Sequence, residues 1–124
     1  MNNTKHTTKH IIIGFKLFVS EMLLLIKSPV FLLLTILGNL LIGLFSLLFY
    51  FFETPENPKI HGLMDAIWWG FSTATTTGYG DITPITLKGK ILGILLMLTG
   101  TALFSMFTAL FAETILTSTR QSRS

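Results

Sequence analysis

The chemistry-bearing stretch of this chain is Thr75-Thr76-Thr77-Gly78-Tyr79-Gly80-Asp81. Glycines at 78 and 80 open backbone conformations with positive φ, which let successive carbonyls point one way instead of alternating as in a strand. A column of aligned carbonyl oxygens is a cation site. Other chemistries lack their residues. No cysteine is present, so the chain has no disulfide framework, thiolate metal site or cysteine nucleophile. His6, His10 and His61 have neither ligand spacing nor carboxylate partners and read as solvated residues. There is no phosphate-binding glycine loop, no nucleophile with a histidine and an acid in reach, and no paired carboxylate within the apolar segments. The chain therefore reads as a non-enzyme with no cofactor.

The elements that must position this stretch are apolar. Of 124 residues, 50% are hydrophobic and 12% charged, a composition foreign to ordinary soluble domains. Val30 to Phe52 and Ile91 to Ala112 carry no charge, and each exceeds the roughly 20 residues that cross a 30 Å hydrocarbon core. They predict transmembrane helices over 30–52 and 91–116. Between them, after the polar, proline-punctuated Glu53 to Lys59, lies a second apolar run from Leu63 to Ala74. At 1.5 Å per residue it makes a helix only about 18 Å long, too short to span. It must dip into the membrane and return, as a re-entrant helix over 63–75 followed by non-helical backbone over 76–80. Such backbone is tolerated at membrane depth only where protein buries it or where it lines a water-filled cavity. Asn39, polar in the middle of the first span, is expected to hydrogen-bond to a neighbouring helix.

Before the first span, His10 to Lys27 is apolar but interrupted by charges. At 100° per residue, Lys9, Lys16, Ser20 and Lys27 share a narrow stripe, while Ile12, Phe15, Val19, Met22 and Ile26 lie elsewhere. That pattern suits an interfacial helix whose lysines reach anionic lipid headgroups. A secretory signal is the rival reading, but no small-residue cleavage site follows. Ser28-Pro29 then breaks the helix. The net charge of +3 lies beside apolar segments, which favours lipid over nucleic acid as its partner. Lys5, Lys9, Lys16 and Lys27 before the first span, with Arg120 and Arg123 after the second, place both termini in the cytoplasm. The expected organisation is a cytoplasmic N-terminus with its interfacial helix over 1–29, a pore domain over 30–116 and a short cytoplasmic tail over 117–124.

Thr76-Thr77-Gly78-Tyr79-Gly80 resembles the signature of potassium channels. With Asp81, the Trp68-Trp69 pair, Pro84 and Gly100 at the family's spacing, the chain from Val30 to Leu116 is similar to the prokaryotic two-transmembrane-segment potassium channels, with a pore of the KcsA/NaK type. The resemblance implies an all-α membrane protein of two transmembrane helices, a pore helix and a selectivity filter, assembled as a homotetramer that passes K⁺ passively. A single loop offers carbonyls on one side of an ion only, so several copies are needed. The alternatives are a weakly selective or nonselective cation channel, or a K⁺ transporter subunit.

By that resemblance, the carbonyls of Thr76, Thr77, Gly78 and Tyr79 hold K⁺, with Gly80 closing the filter and the Thr76 hydroxyl completing the innermost site. Trp68, Trp69, Ser72 and Asp81 support it. A tryptophan and Tyr79 of neighbouring subunits are expected to form a cuff, and the Asp81 ring attracts cations to the mouth. Two positions depart from the pattern. Thr77 stands where the family usually has valine, and its extra hydroxyl calls for a partner behind the filter. Ser72 replaces a glutamate that pairs, in one member of the family, with the residue matching Asp81. In the second span Thr101, Phe104, Thr108, Ala112 and Ile115 recur on one helical face. The resemblance places that face on the central cavity and gate, with Gly100 as a candidate hinge. Helix packing explains the same small residues.

Overall fold

The computed structural model describes residues 2–123, excluding the side chains of residues 2–7, 9 and 121–123. It consists of α1 (Asn2–Lys27), α2 (Pro29–Glu53), α3 (Leu63–Ala74) and α4 (Leu87–Arg123), with no strand among the described residues. Pro29 opens α2 from the first helical position, where a missing N–H costs nothing. Ser28 caps that turn by accepting from the Phe31 amide at 3.2 Å. One residue pair thus ends one helix and starts the next.

α2 and residues 87–120 of α4 are long and apolar enough to cross a bilayer. α3 has 12 residues and ends at Ala74, one residue before the bound expected for the re-entrant helix. Its start is fixed by Asp65, whose carboxylate accepts from the amides of His61 at 2.8 Å and Gly62 at 3.2 Å. The ring of His61 also lies 3.8 Å from Asp65, so this histidine has the carboxylate neighbour that the sequence did not suggest. No group of three potential metal-ligating side chains occurs among the described residues. Both terminal helices outrun their predicted bounds. α4 begins at Leu87 because Thr86 caps it, accepting from the Gly89 amide at 2.9 Å. It continues to Arg123 because neither proline nor glycine follows Gly100. Asn39 is satisfied within its own helix: its amide donates to the Thr35 carbonyl at 2.8 Å.

The chain divides into two compact units, Met1–Leu33 with Met106–Ser124, and Leu34–Ser105. In the first, Gly14, Leu17, Phe18, Glu21, Met22 and Leu25 form the half-buried face of α1, while Lys16, Ser20 and Lys27 stay exposed. The side chain of Lys9 lies outside the described residues. Phe31 meets the rings of Phe107 and Phe111 edge-on, with centroids 5.5 and 6.0 Å apart.

The second unit is built around Phe49 and Trp69, stacked at 3.6 Å and 9° and packed among Ala66, Ala74, Leu92 and Leu96. α4 closes on α3 at Gly100, where a Cβ would come within 2.7 Å of the Ala74 Cα. Small residues permit such an approach where apolar solvent gives no hydrophobic drive between helices.

Candidate ion-coordinating loop

The residues between α3 and α4 form the loop, and its backbone alternates in hand. Thr76, Gly78 and Gly80 have φ of 63°, 57° and 77°, and no other described residue has positive φ. Two are the glycines that chain sterics favour there. Thr76 is not, and a β-branched residue in this region costs on the order of 1–2 kcal/mol. Its neighbours must hold it.

The hold comes from the last turn of α3. Thr75 donates its amide to the Phe71 carbonyl at 3.0 Å, Thr76 to Thr73 at 3.1 Å and Gly78 to Ser72 at 3.0 Å. These carbonyls are among those a helix end leaves unpaired, so the loop closes α3 and α3 orients the loop. In a trans peptide the C=O points opposite to the N–H. The carbonyls of Thr75 and Thr77, joined to the amides of Thr76 and Gly78, therefore face away from α3. Both oxygens are thus turned from the carbonyls that anchor their amides.

Further along, Trp68 braces the loop in two ways. Its ring stacks on Tyr79 with centroids 5.2 Å apart and 12° between planes. Its indole Nε1–H donates to Asp81 Oδ2 at 2.8 Å. That indole bond is the main cause of an Asp81 carboxyl held below the usual carboxylate range. The stack forms within one chain. The tryptophan pair also divides its work: Trp69 is buried against Phe49 and does not meet the loop ring. Ser72 is buried too, and it meets the loop through its backbone carbonyl. Asp81 has Trp68 in place of the absent glutamate.

A cavity of about 230 Å³ lies beside the loop, lined by Thr73, Thr76, Gly78, Met97 and Thr101. It brings Thr76 and Thr101, two residues singled out separately in the sequence, to one space. Thr101, Phe104, Thr108, Ala112 and Ile115 are all exposed along α4. Gly100, on the adjoining face, is buried against α3.

One residue of consequence was not singled out in the sequence. Glu53, the last residue of α2, is wholly buried. Its carboxylate accepts from the Ile85 amide at 2.8 Å, the Thr86 amide at 3.0 Å, the Thr86 hydroxyl at 2.6 Å and Asn57 Nδ2 at 2.9 Å. Asn57 also donates to the Thr83 carbonyl at 2.9 Å. The end of α2 thus grips the segment that leads from the loop into α4. A charge at a span's end ordinarily reads as a solvated rim residue. The available signal was Thr86 three residues before Gly89, a helix cap with a hydroxyl to spare.

Two candidate spans with a short helix and an anchored loop between them have the layout of a channel pore, and comparison with known proteins shows the family. Residues 30–117 match the family model described as "Ion channel". The chain belongs to that family and is a membrane protein with two transmembrane helices. It is 48% identical over 63 residues to a voltage-gated potassium channel of Aeropyrum pernix, covering 50% of this chain and 21% of that one. It is 49% identical over 59 residues to the human potassium voltage-gated channel subfamily A member 4, covering 46% of this chain and 9% of the relative. The chain thus spans about a fifth or less of the length of these curated relatives.

Proposed function

We propose that this chain is the pore-forming subunit of a potassium-selective channel, four copies of which surround one axis and pass K⁺ down its gradient. The observation that carries the reading is the anchoring of the loop amides to α3, which turns the Thr75 and Thr77 carbonyls away from that helix. By the family resemblance, Thr76, Thr77, Gly78 and Tyr79 supply stacked oxygen rings in place of the ion's water, the Thr77 oxygen being the one that this anchoring orients, with Gly80 completing the filter. The C-terminal end of α3 adds a negative partial charge beneath the sites. Several adjacent sites let ion–ion repulsion offset tight binding, so that ions leave quickly.

In this arrangement Trp68 and Asp81 steady the outer mouth, while Trp69 and Ser72 hold α3 and the inner loop in place. Thr101, Phe104, Thr108, Ala112 and Ile115 line the cavity and inner constriction, with Gly100 beside them. Both termini are cytoplasmic, and Lys9, Lys16 and Lys27 meet anionic headgroups. The names of the relatives support potassium as the permeant ion, and the intact Gly78-Tyr79-Gly80 supports selectivity.

Purified protein in liposomes loaded with K⁺ tests the reading. Rapid dissipation of the gradient, blocked by Ba²⁺, is the expected result. No flux at any imposed potential would overturn it. Equal flux of Na⁺ would favour the nonselective alternative.

A further inference from the structure

Thr77 carries a hydroxyl where the family usually has a methyl, and the structure gives that hydroxyl a partner. Thr77 Oγ1 lies 2.9 Å from Thr75 Oγ1. Thr75 Oγ1 lies 2.7 Å from the Phe71 carbonyl and 3.5 Å from that of Ser72. Geometry alone allows either hydroxyl to donate to the other. The proton count decides. A hydroxyl has one proton, and carbonyls can only accept, so the Thr75 proton points into the last turn of α3. Thr75 Oγ1 is left as an acceptor, and Thr77 must be the donor.

We propose that Thr77 is a positioning residue for its own carbonyl, acting through a hydroxyl relay that runs from Thr77 to Thr75 to the Phe71 carbonyl. The inference rests on the channel reading, because it assigns that carbonyl to an ion site. Its physical content is a second tether on one peptide unit. The Gly78 amide, donating to Ser72 at 3.0 Å, fixes the plane of the peptide that bears the Thr77 oxygen. The relay fixes the Thr77 side chain, whose χ1 is already stiff because it is β-branched. Rotating that peptide away from α3 then strains two bonds instead of one. A valine at 77 would keep the shape and lose the relay, leaving Thr75 Oγ1 without its donor.

The test is hydrogen exchange of the Gly78 amide, followed by NMR on the ¹⁵N-labelled 124-residue chain in lipid nanodiscs. Thr77→Val should speed exchange about fivefold, the value of one neutral hydrogen bond. Thr77→Ser, which restores the hydroxyl without the methyl, should return it to within about twofold of the original. Adding Thr75→Val to Thr77→Val should speed exchange no further than Thr75→Val alone, because both break one relay. Unchanged exchange in Thr77→Val overturns the proposal, as does exchange in Thr77→Ser as fast as in Thr77→Val. The exchange comparison and the liposome flux fail separately. Absence of K⁺ flux from the unsubstituted chain removes the ion-site role and with it this proposal; flux with an unaltered Gly78 amide in Thr77→Val removes the relay and leaves the channel.

Discussion

Trp68 joins a ring stack and a hydrogen bond in one side chain, so Trp68→Phe separates them: the stack on Tyr79 stays and the donor to Asp81 goes. We expect the variant to lose more than half of its sustained K⁺ flux as the outer mouth loosens, read in liposomes. The same change gives a signed pH dependence. Because the folded Asp81 pKa is depressed, chiefly by the Trp68 bond, its contribution is complete above the ordinary carboxylate range of about 4. It is lost as pH falls through the lower, folded value. Flux through the unsubstituted chain should therefore survive external acidification to about pH 4, and Trp68→Phe should fail at a higher pH. Glu53 makes a different prediction. Glu53→Gln keeps the shape but turns an NH₂ toward backbone donors, and should destabilise the assembly by about 1–3 kcal/mol. A lowered melting temperature without altered selectivity is the readout.

Among the elements, the ones read most fully from sequence were those bounded by strong local signals. Ser28-Pro29 marked the break before α2, and the charge-free runs marked both spans. α3 ends within one residue of its expected bound because its apolar run is short and has turns on either side. The ends of α1 and α4 were not legible in the same way, since polar residues without glycine or proline can continue a helix at little cost. The Glu53 grip was hidden for another reason: its partners are backbone amides 32 and 33 residues away, and amides leave no trace in side-chain patterns. Gly100 has a packing role in the structure. The resemblance offered it as a candidate hinge, and its backbone lies against Ala74. Gly100→Ala should therefore cost about 1–3 kcal/mol through overpacking. Gly14→Ala, which meets nothing within 4 Å, should stabilise α1 by up to about 1 kcal/mol. Thermal melting of the two variants in detergent separates them. A Gly100→Ala assembly as stable as the original would restore the hinge as the better explanation.

At the scale of the whole molecule, the proposed function needs more than one chain. The Thr75 and Thr77 carbonyls face away from α3, Tyr79 is exposed and about half of Trp68 is uncovered, and Thr101, Phe104, Thr108, Ala112 and Ile115 are exposed. Copies around an axis would bring the carbonyls together and cover those surfaces, which is why a single unit cannot strip an ion of its water. The sequence could supply this argument only through a resemblance, because nothing in composition or periodicity counts subunits. The central claim is selective conduction of K⁺ by the assembled loops, and the reversal potential under bi-ionic conditions, K⁺ on one side of a planar bilayer and Na⁺ on the other, tests it most directly. We predict a reversal potential displaced far toward the K⁺ equilibrium value. A reversal near zero would contradict potassium selectivity.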